Sequence, residues 1–279
     1  MSWIQASPKG SNHTNTSSIY HFNSSKKPIE IYVFVDPLCP ECWELEPYIQ
    51  KLRIEYGRFF IIRRITCSHL STQSIRRLDR SKKINDSIDS HSVLFPWTSI
   101  ATKAAELQGK NAGKTFLRKI REYHFLKGLD VTDESTIIQC AIESHLDVQE
   151  FRNDLYSSSI KKAIHCDLKI AKEMDVHSTP AIVFFNQMND EQGIKVSGLY
   201  SYDVYVSVLT EMLQKDPIPS VKPSLEEFLS SFEIVAKNEI SIVYDWTPDE
   251  TTKHMKRLQL KQKVQKLVDK NEVYYRFIH

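Results

Sequence analysis

Apolar residues run almost unbroken through "IEIYVFVD" (residues 29–36), a β-branched and aromatic stretch that predicts a buried central strand. The period then changes. In "CPECWELEPYIQKLRIEYG" the apolar positions Leu45, Ile49, Leu52 and Tyr56 recur every three or four residues, which predicts an amphipathic helix. Pro40 suits the first helical position, where its missing N–H leaves nothing unpaired. Pro47, further in, predicts a kink or a late start, and Gly57 ends the element. "RFFIIRRIT" (58–66) reads as a second strand, so the segment forms a right-handed βαβ unit.

Residues 67–96 are polar without sustained period and read as a surface excursion. From Trp97 to Val176 the pattern is helical throughout. "SIATKAAELQGKNAGKTFLRKIREYHF" gives one or two amphipathic helices, and Asp147 with Glu150 opens another. "SSIKKAIHCDLKIAKEMDV" gives a longer one, with Ile160, Ile164, Leu168 and Ala171 or Ile170 facing inward. Strands resume in "TPAIVFFN" (179–186) and "GIKVSG" (193–198), which should pair as an antiparallel hairpin. "YSYDVYVSVLTEMLQ" closes the unit as a helix with Val204, Val208 and Met212 in register. Residues 29–214 therefore read as one domain with a helical insertion over about 97–176.

"KDPIPSVKPS" (215–224) concentrates three prolines and marks a linker. Beyond it Ser224 with Glu227, and Thr247 with Glu250, have the spacing of capping boxes, the second with Pro248 at the first helical position. "KNEISIVYDW" between them reads as a short helix, and "KVQKLVDKNEVYYRFI" as a hairpin turning at Asp269–Asn271. Three short helices and a hairpin suggest a small winged-helix-like module over 225–279. The fold class is thus α/β.

Composition narrows the partners. The chain has 279 residues, 41% hydrophobic and 26% charged, with net charge +2, a balance that points to neither nucleic acid nor membrane. No apolar run approaches the roughly 20 residues a membrane span needs. Residues 1–28 are polar and rich in Ser, Asn and Thr; they read as a flexible tail without the apolar core of a signal peptide. A cytoplasmic chain keeps its thiols reduced, so the cysteines at 39, 42, 67, 140 and 166 are not a disulfide framework. Residues 253–279 carry eight Lys/Arg against two Asp/Glu. The acidic segment 217–252 before them can neutralise that charge, which argues for a solvated face over a nucleic-acid groove.

The pair Cys39 and Cys42, one helical turn apart, is the strongest chemical signal. A zinc site needs four ligands, and none of the other cysteines supplies a second C-x-x-C. His13 and His21 in the tail read as solvated. Neither metal nor cofactor is expected.

A strand, C-P-x-C opening a helix, a helical insertion, then a hairpin introduced by Thr179–Pro180: this order resembles the thioredoxin fold of the DsbA-like group. The resemblance implies a cis Pro180 facing the cysteines, with Thr179 presenting backbone to an extended peptide. It implies a reactive Cys39 at a helix N-terminus, where unpaired N–H groups and the macrodipole favour a thiolate, and Cys42 as the resolving thiol. Glu41 opposes that activation. "IEIYVFVDPLCPECW", "KLRIEYGRFF", "AAELQGK", "IAKEMDV", "VSGLYSYDVY" and the appended basic module together resemble the YjbH/SpxH family of Firmicutes. That resemblance implies a cytosolic adaptor that binds the transcription regulator Spx and promotes its degradation by the ClpXP protease. Some members carry a histidine- and cysteine-rich N-terminus associated with zinc; here the segment has two histidines and no cysteine.

An oxidase of this fold needs an oxidising compartment, whereas a thioredoxin-like surface can bind polypeptide without chemistry. Leu38 and Trp43 are candidates for an apolar partner-binding patch around the cysteines; Phe185 reads as core. The rival reading is a cytosolic thiol–disulfide oxidoreductase acting through Cys39 and Cys42.

Overall fold

The computed structural model describes residues 27–67, 96–187, 193–269 and 272–278. The expected tail as far as residue 26, with His13 and His21, lies outside them, as do 68–95 of the excursion, the turn at 188–192 and the hairpin turn at 270–271.

Strand β1 (Ile29–Val35) leads into helix α1 (Pro40–Tyr56) and strand β2 (Phe60–Thr66). β2 pairs in parallel with β1, which requires the crossover that α1 supplies. On its other side β1 pairs antiparallel with β3 (Ala181–Asn186), and β3 with β4 (Ile194–Ser197), giving the order β2–β1–β3–β4. β1 is therefore an inner strand covered on both faces, which is why its sequence is nearly continuous in apolar residues. Ile29, Ile31, Val33 and Val35 share a core with Leu45, Ile49 and Leu52 of α1. Phe34 turns the other way, into a core with Ile65, Ala171 and Val176.

Pro40 does occupy the first turn of α1. Pro47 lies inside the helix, which runs through it from Pro40, so the expected late start does not occur. Between β2 and β3 come α2 (Trp97–Leu107), α3 (Lys110–Arg121), a π-helical turn (Glu122–Leu126), α4 (Glu134–Glu143), α5 (Val148–Leu155) and α6 (Ser158–Glu173). Asp133, Asp147 and Ser157 cap the last three by accepting from the backbone N–H three residues on. These helices enclose a core of their own around Phe116, Ile120, Ile137 and Phe151.

Helix α7 (Tyr202–Leu213) corrects the expected register. Its buried line is Tyr205, Leu209 and Met212, while Val204 and Val208 are half-buried flanks. The large Tyr205 ring fills the space against the sheet, and its hydroxyl still finds a partner by accepting from the Tyr200 N–H at 3.0 Å.

Beyond α7, residues 215–224 form no helix or strand, but they are tied down. The Ser220 N–H donates to Glu55 O at 2.7 Å. Lys222 bridges Glu55 and Asp245 at 3.2 and 2.5 Å, and Arg58 holds Ser220 and the Ile218 carbonyl. The proline-rich stretch is a strap laid along α1. The remaining elements are α8 (Leu225–Ser230), β5 (Ile234–Ala236), α9 (Lys237–Tyr244), α10 (Pro248–Leu260), β6 (Val264–Asp269) and β7 (Glu272–Phe277). Both capping boxes close in both directions. The three-residue β5, absent from the sequence reading, pairs with β7 to give an antiparallel sheet β5–β7–β6. The order helix, strand, two helices and hairpin is compatible with a winged helix. Among the described residues no helix is long and apolar enough to cross a membrane.

Candidate functional site

The βαβ turn places Cys39 at the N-cap of α1, in extended backbone conformation, with Pro40 directly after it. Its sulfur accepts from the Cys42 N–H at 3.3 Å, taking the place of the usual hydroxyl or carboxylate cap. From the strand next to β1, the turn before β3 brings Thr179 up to the pair. The Thr179–Pro180 peptide is cis, and the Cys39 thiol donates to the Thr179 carbonyl at 3.9 Å. Residues 140 positions apart thus meet at one point.

The two thiols differ sharply. Cys39 is half-buried, whereas Cys42 is buried under the first turn. Burial, reinforced by its hydrogen bond with Cys39, pushes the Cys42 thiol up to about 12. The nearby Arg121 guanidinium works the other way and does not win. Arg121 itself is fully buried below the pair, 3.4 Å from both the Asp36 carbonyl and Glu46 Oε2. Glu46 also accepts from Arg64 at 2.5 Å. Burial alone would raise the Glu46 carboxyl, but Arg64 and Arg121 outweigh it and hold the pKa at about 2. All five cysteines are free thiols, and among the described residues no three metal-ligating side chains converge on a point.

The apolar surface around the cysteines differs from the expected one. Leu38 is half-buried against the core of the helical insertion. Trp43 is committed further: its indole stacks on Phe125 of the π-helical turn at 5.8 Å and lies against Ile234, Ala236 and Tyr274 of the C-terminal module. Phe185, expected in the core, is half-buried: it packs edge-on against Tyr32 at 5.8 Å on the margin of the core around Phe34. An exposed aromatic ring, Tyr200, follows the strand β4 that pairs with β3. It lies two residues beyond Gly198, whose N–H donates to the Pro180 carbonyl at 2.8 Å. Gly198 has φ +98°, a left-handed conformation that lets the chain turn there without strain.

Trp43 marks a junction organised by Arg118 of α3, a residue the sequence reading passed over. The Arg118 guanidinium forks onto Glu239 at 2.7 and 3.0 Å, donates to Glu122 at 2.8 Å and to the Ile234 carbonyl at 2.8 Å, and lies 4.6 Å over the Trp43 ring. Lys119 pairs with Glu233, and Lys51 of α1 with Asp245. In sequence these cations sit at the same spacings as a solvated helix face, and no local signal distinguishes them.

Comparison with known proteins gives the same outline. The sequence model of the family described as Thioredoxin matches residues 32–207. The chain is 44% identical over 270 residues to a protein of Bacillus licheniformis named ClpXP adapter protein SpxH, covering 91% of this chain and 90% of that one. It is 44% identical over 269 residues to the protein of the same name from Bacillus subtilis, at 90% of each chain. A solved putative protein disulfide isomerase from Nitrosomonas europaea superposes with TM-score 0.51 at 15% identity, over 67% of this chain and 98% of that one. At that identity the likeness speaks for the fold alone. The match to the adapter proteins spans too much of the chain to stop at residue 207, so it takes in part of the C-terminal module as well.

Proposed function

The chain belongs to the SpxH family of ClpXP adapter proteins, and from that membership we propose that it is a cytoplasmic, non-catalytic adaptor that binds the regulator Spx and promotes its proteolysis by ClpXP. The observation that carries the reading is 44% identity over nine-tenths of both chains. A thioredoxin core alone would fit oxidoreductases equally well; shared length across the strap and the C-terminal module does not follow from the core.

The geometry suits binding. We assign the docking surface to the half-buried Thr179 beside cis Pro180, to the rim formed by Cys39, and to the exposed Tyr200. The Thr179 backbone can pair with an extended segment, as sheet edges do with peptides. Tyr200 can add a rigid aromatic contact at low entropic cost. Leu38 and Trp43 take a supporting part, since both are engaged by the chain's own elements. An adaptor of this kind accelerates proteolysis by holding a substrate state that the protease engages more readily, and its effect is bounded by its differential affinity for that state.

One feature favours a second reading. Cys39 faces the cis proline, where its thiolate could attack a disulfide of a bound peptide, releasing one peptide thiolate and leaving a mixed disulfide; Cys42 would then attack the Cys39 sulfur, closing the Cys39–Cys42 disulfide and releasing the second peptide thiolate. Against turnover stands the Cys42 thiol, held by burial far from the thiolate that must attack.

The test is degradation of purified Spx by ClpXP with and without the chain under reducing conditions. The adaptor reading expects a saturable acceleration; an unchanged rate overturns it.

A further inference from the structure

The C-terminal module carries a one-sided run of charge: from Lys253 to Lys266 there are six Lys/Arg and no Asp/Glu. The sequence predicts that the acidic segment 217–252 neutralises it, and the structure corrects that expectation. Glu233 pairs with Lys119, Glu239 with Arg118, and Asp245 with Lys51 and Lys222. Glu227 and Glu250 close the two capping boxes. Asp249 stays in the first turn of α10, one turn before Lys253. Glu226 reaches the run, at Lys263. Among the described residues Lys253, Lys256, Arg257, Lys261 and Lys266 make no ion pair and no side-chain hydrogen bond.

These cations share a face. Along α10 the buried line is Thr251, Met255 and Leu258, while Lys253, Lys256, Arg257 and Leu260 are exposed at the three- and four-residue spacing of the other side. Exposed Lys261 follows at the turn into β6. β6 is an edge strand, and its Val264 packs in the core with Met255 and Leu258. Lys266 and Val268 follow Val264 at the two-residue period of a strand, so they continue the charged face on the α10 side of the hairpin. Aliphatic side chains stand open among these charges: Leu260 is 77% exposed and Val268 65%. Ile278, 48% exposed, is held beside the turn by its N–H, which donates to the Lys263 carbonyl at 2.8 Å. Cations in the last turn of α10 complement the helix dipole. The dipole does not account for Lys253, for Lys266, or for three open aliphatics in one charged face.

We infer that this face docks an acidic polypeptide segment of a partner protein, one that sets aliphatic side chains among its carboxylates. Charge selects the partner, because unpaired cations on one face attract a segment of opposite sign and speed its encounter. Leu260, Val268 and Ile278 supply apolar contacts that salt does not screen. Nucleic acid fits less well. A helix-turn-helix unit presents the N-terminal residues of its recognition helix to the bases, and α10 has Asp249 and Glu250 there, both of which repel phosphate. Open aliphatics also add little on a phosphate backbone. The face is built from the C-terminal module alone, without Cys39 or Thr179, so it is a second contact beyond the docking surface proposed above.

The test measures binding of the full chain to labelled ligands by fluorescence anisotropy at low and at physiological salt. The ligands are a synthetic glutamate peptide with leucine at every third or fourth position, poly-glutamate of equal length, and duplex DNA. The glutamate–leucine peptide should bind saturably and keep part of its affinity at the higher salt. Poly-glutamate should bind more weakly and lose nearly all of it, and DNA should bind no better than poly-glutamate. Lys256→Gln together with Arg257→Gln should weaken the glutamate–leucine peptide by roughly tenfold at low salt. Leu260→Ser should weaken that peptide about threefold and leave poly-glutamate unchanged. Both variants should melt like wild type, since the altered side chains are exposed. Absent saturable binding, DNA bound more tightly than the peptide, equal affinity for the two peptides, or undiminished affinity in the variants would each overturn the assignment.

Discussion

Replacing Arg118 with Ala should loosen the C-terminal module from the thioredoxin core. The guanidinium satisfies Glu239 through two bonds, Glu122 through one and the Ile234 carbonyl through another, and both carboxylates are nearly inaccessible, at 5% and 3% side-chain exposure. Burial works against the Arg118 charge, but Glu239 and Glu122 outweigh it. Removal leaves two buried carboxylates short of a partner, although Lys119 at 3.4 Å still serves Glu122. Breaking a buried pair from one side costs about 3–5 kcal/mol, chiefly through the charge left behind. At about 2–4 °C per kcal/mol, that is a fall of roughly 10 °C in the transition reporting the junction. Because the chain holds separate cores, one global melting curve is an insufficient readout; cleavage in the strap at 215–224 under limited proteolysis follows the junction itself. Glu239→Gln in the Arg118→Ala background should recover part of the loss, with a coupling of about 2 kcal/mol in the double-mutant cycle. A loss below about 1 kcal/mol, or a cycle with no coupling, would refute the view that this cluster fastens the two units.

Three further outcomes follow from the same structure. With a small alkylating agent on the native chain, Cys39 and exposed Cys166 should react first and Cys42, Cys67 and Cys140 last, because burial pushes all three of those thiols up; mass mapping that finds Cys42 among the fast sites would contradict the described burial. Glu46 has a folded pKa of about 2 against an ordinary value of 4.5, so its contribution is fully present above about pH 4.5 and is lost as pH falls toward 2. That amounts to roughly 3 kcal/mol, and Glu46→Gln should flatten this limb of the acid-stability curve. A fragment ending at Lys215 should still bind Spx but melt lower than the full chain, since it uncovers Trp43 and Ile54; a folded fragment without affinity would move the site to the C-terminal module.

What the sequence disclosed and what it hid divide along a physical line. Features fixed by neighbours in the chain were legible. The apolar run of β1, the caps at Asp147, Ser224 and Thr247, and Pro40 at the start of α1 each depend on residues within a turn or two. The meeting of Cys39 with Thr179 was legible only through the resemblance, because 140 residues separate them. Features set by remote packing were not. Trp43 beside a dithiol has the same local signature whether it faces a partner or the chain's own Ile234. Val204 and Tyr205 both continue a helical apolar stripe, and only the width of the gap beneath the sheet selects the tyrosine. β5 is three residues long and exists because β7 offers an edge to pair with. The charges of α3 follow the pattern of a solvated face, so the Arg118 junction could not be read from spacing.

The central claim is that this chain promotes proteolysis by binding, with its dithiol chemistry dispensable. The direct measurement is the initial rate of Spx degradation by ClpXP in the presence of the Cys39→Ala, Cys42→Ala double variant, under reducing conditions and at protein concentrations spanning saturation. Cys42 packs in the core of α1 and the sheet, so circular dichroism and a melting curve must first establish that the variant is folded. The account predicts a maximal rate within about twofold of wild type, a difference of under about 0.5 kcal/mol. A folded double variant that has lost most of the acceleration would show that the thiols themselves do the work, and would contradict the account.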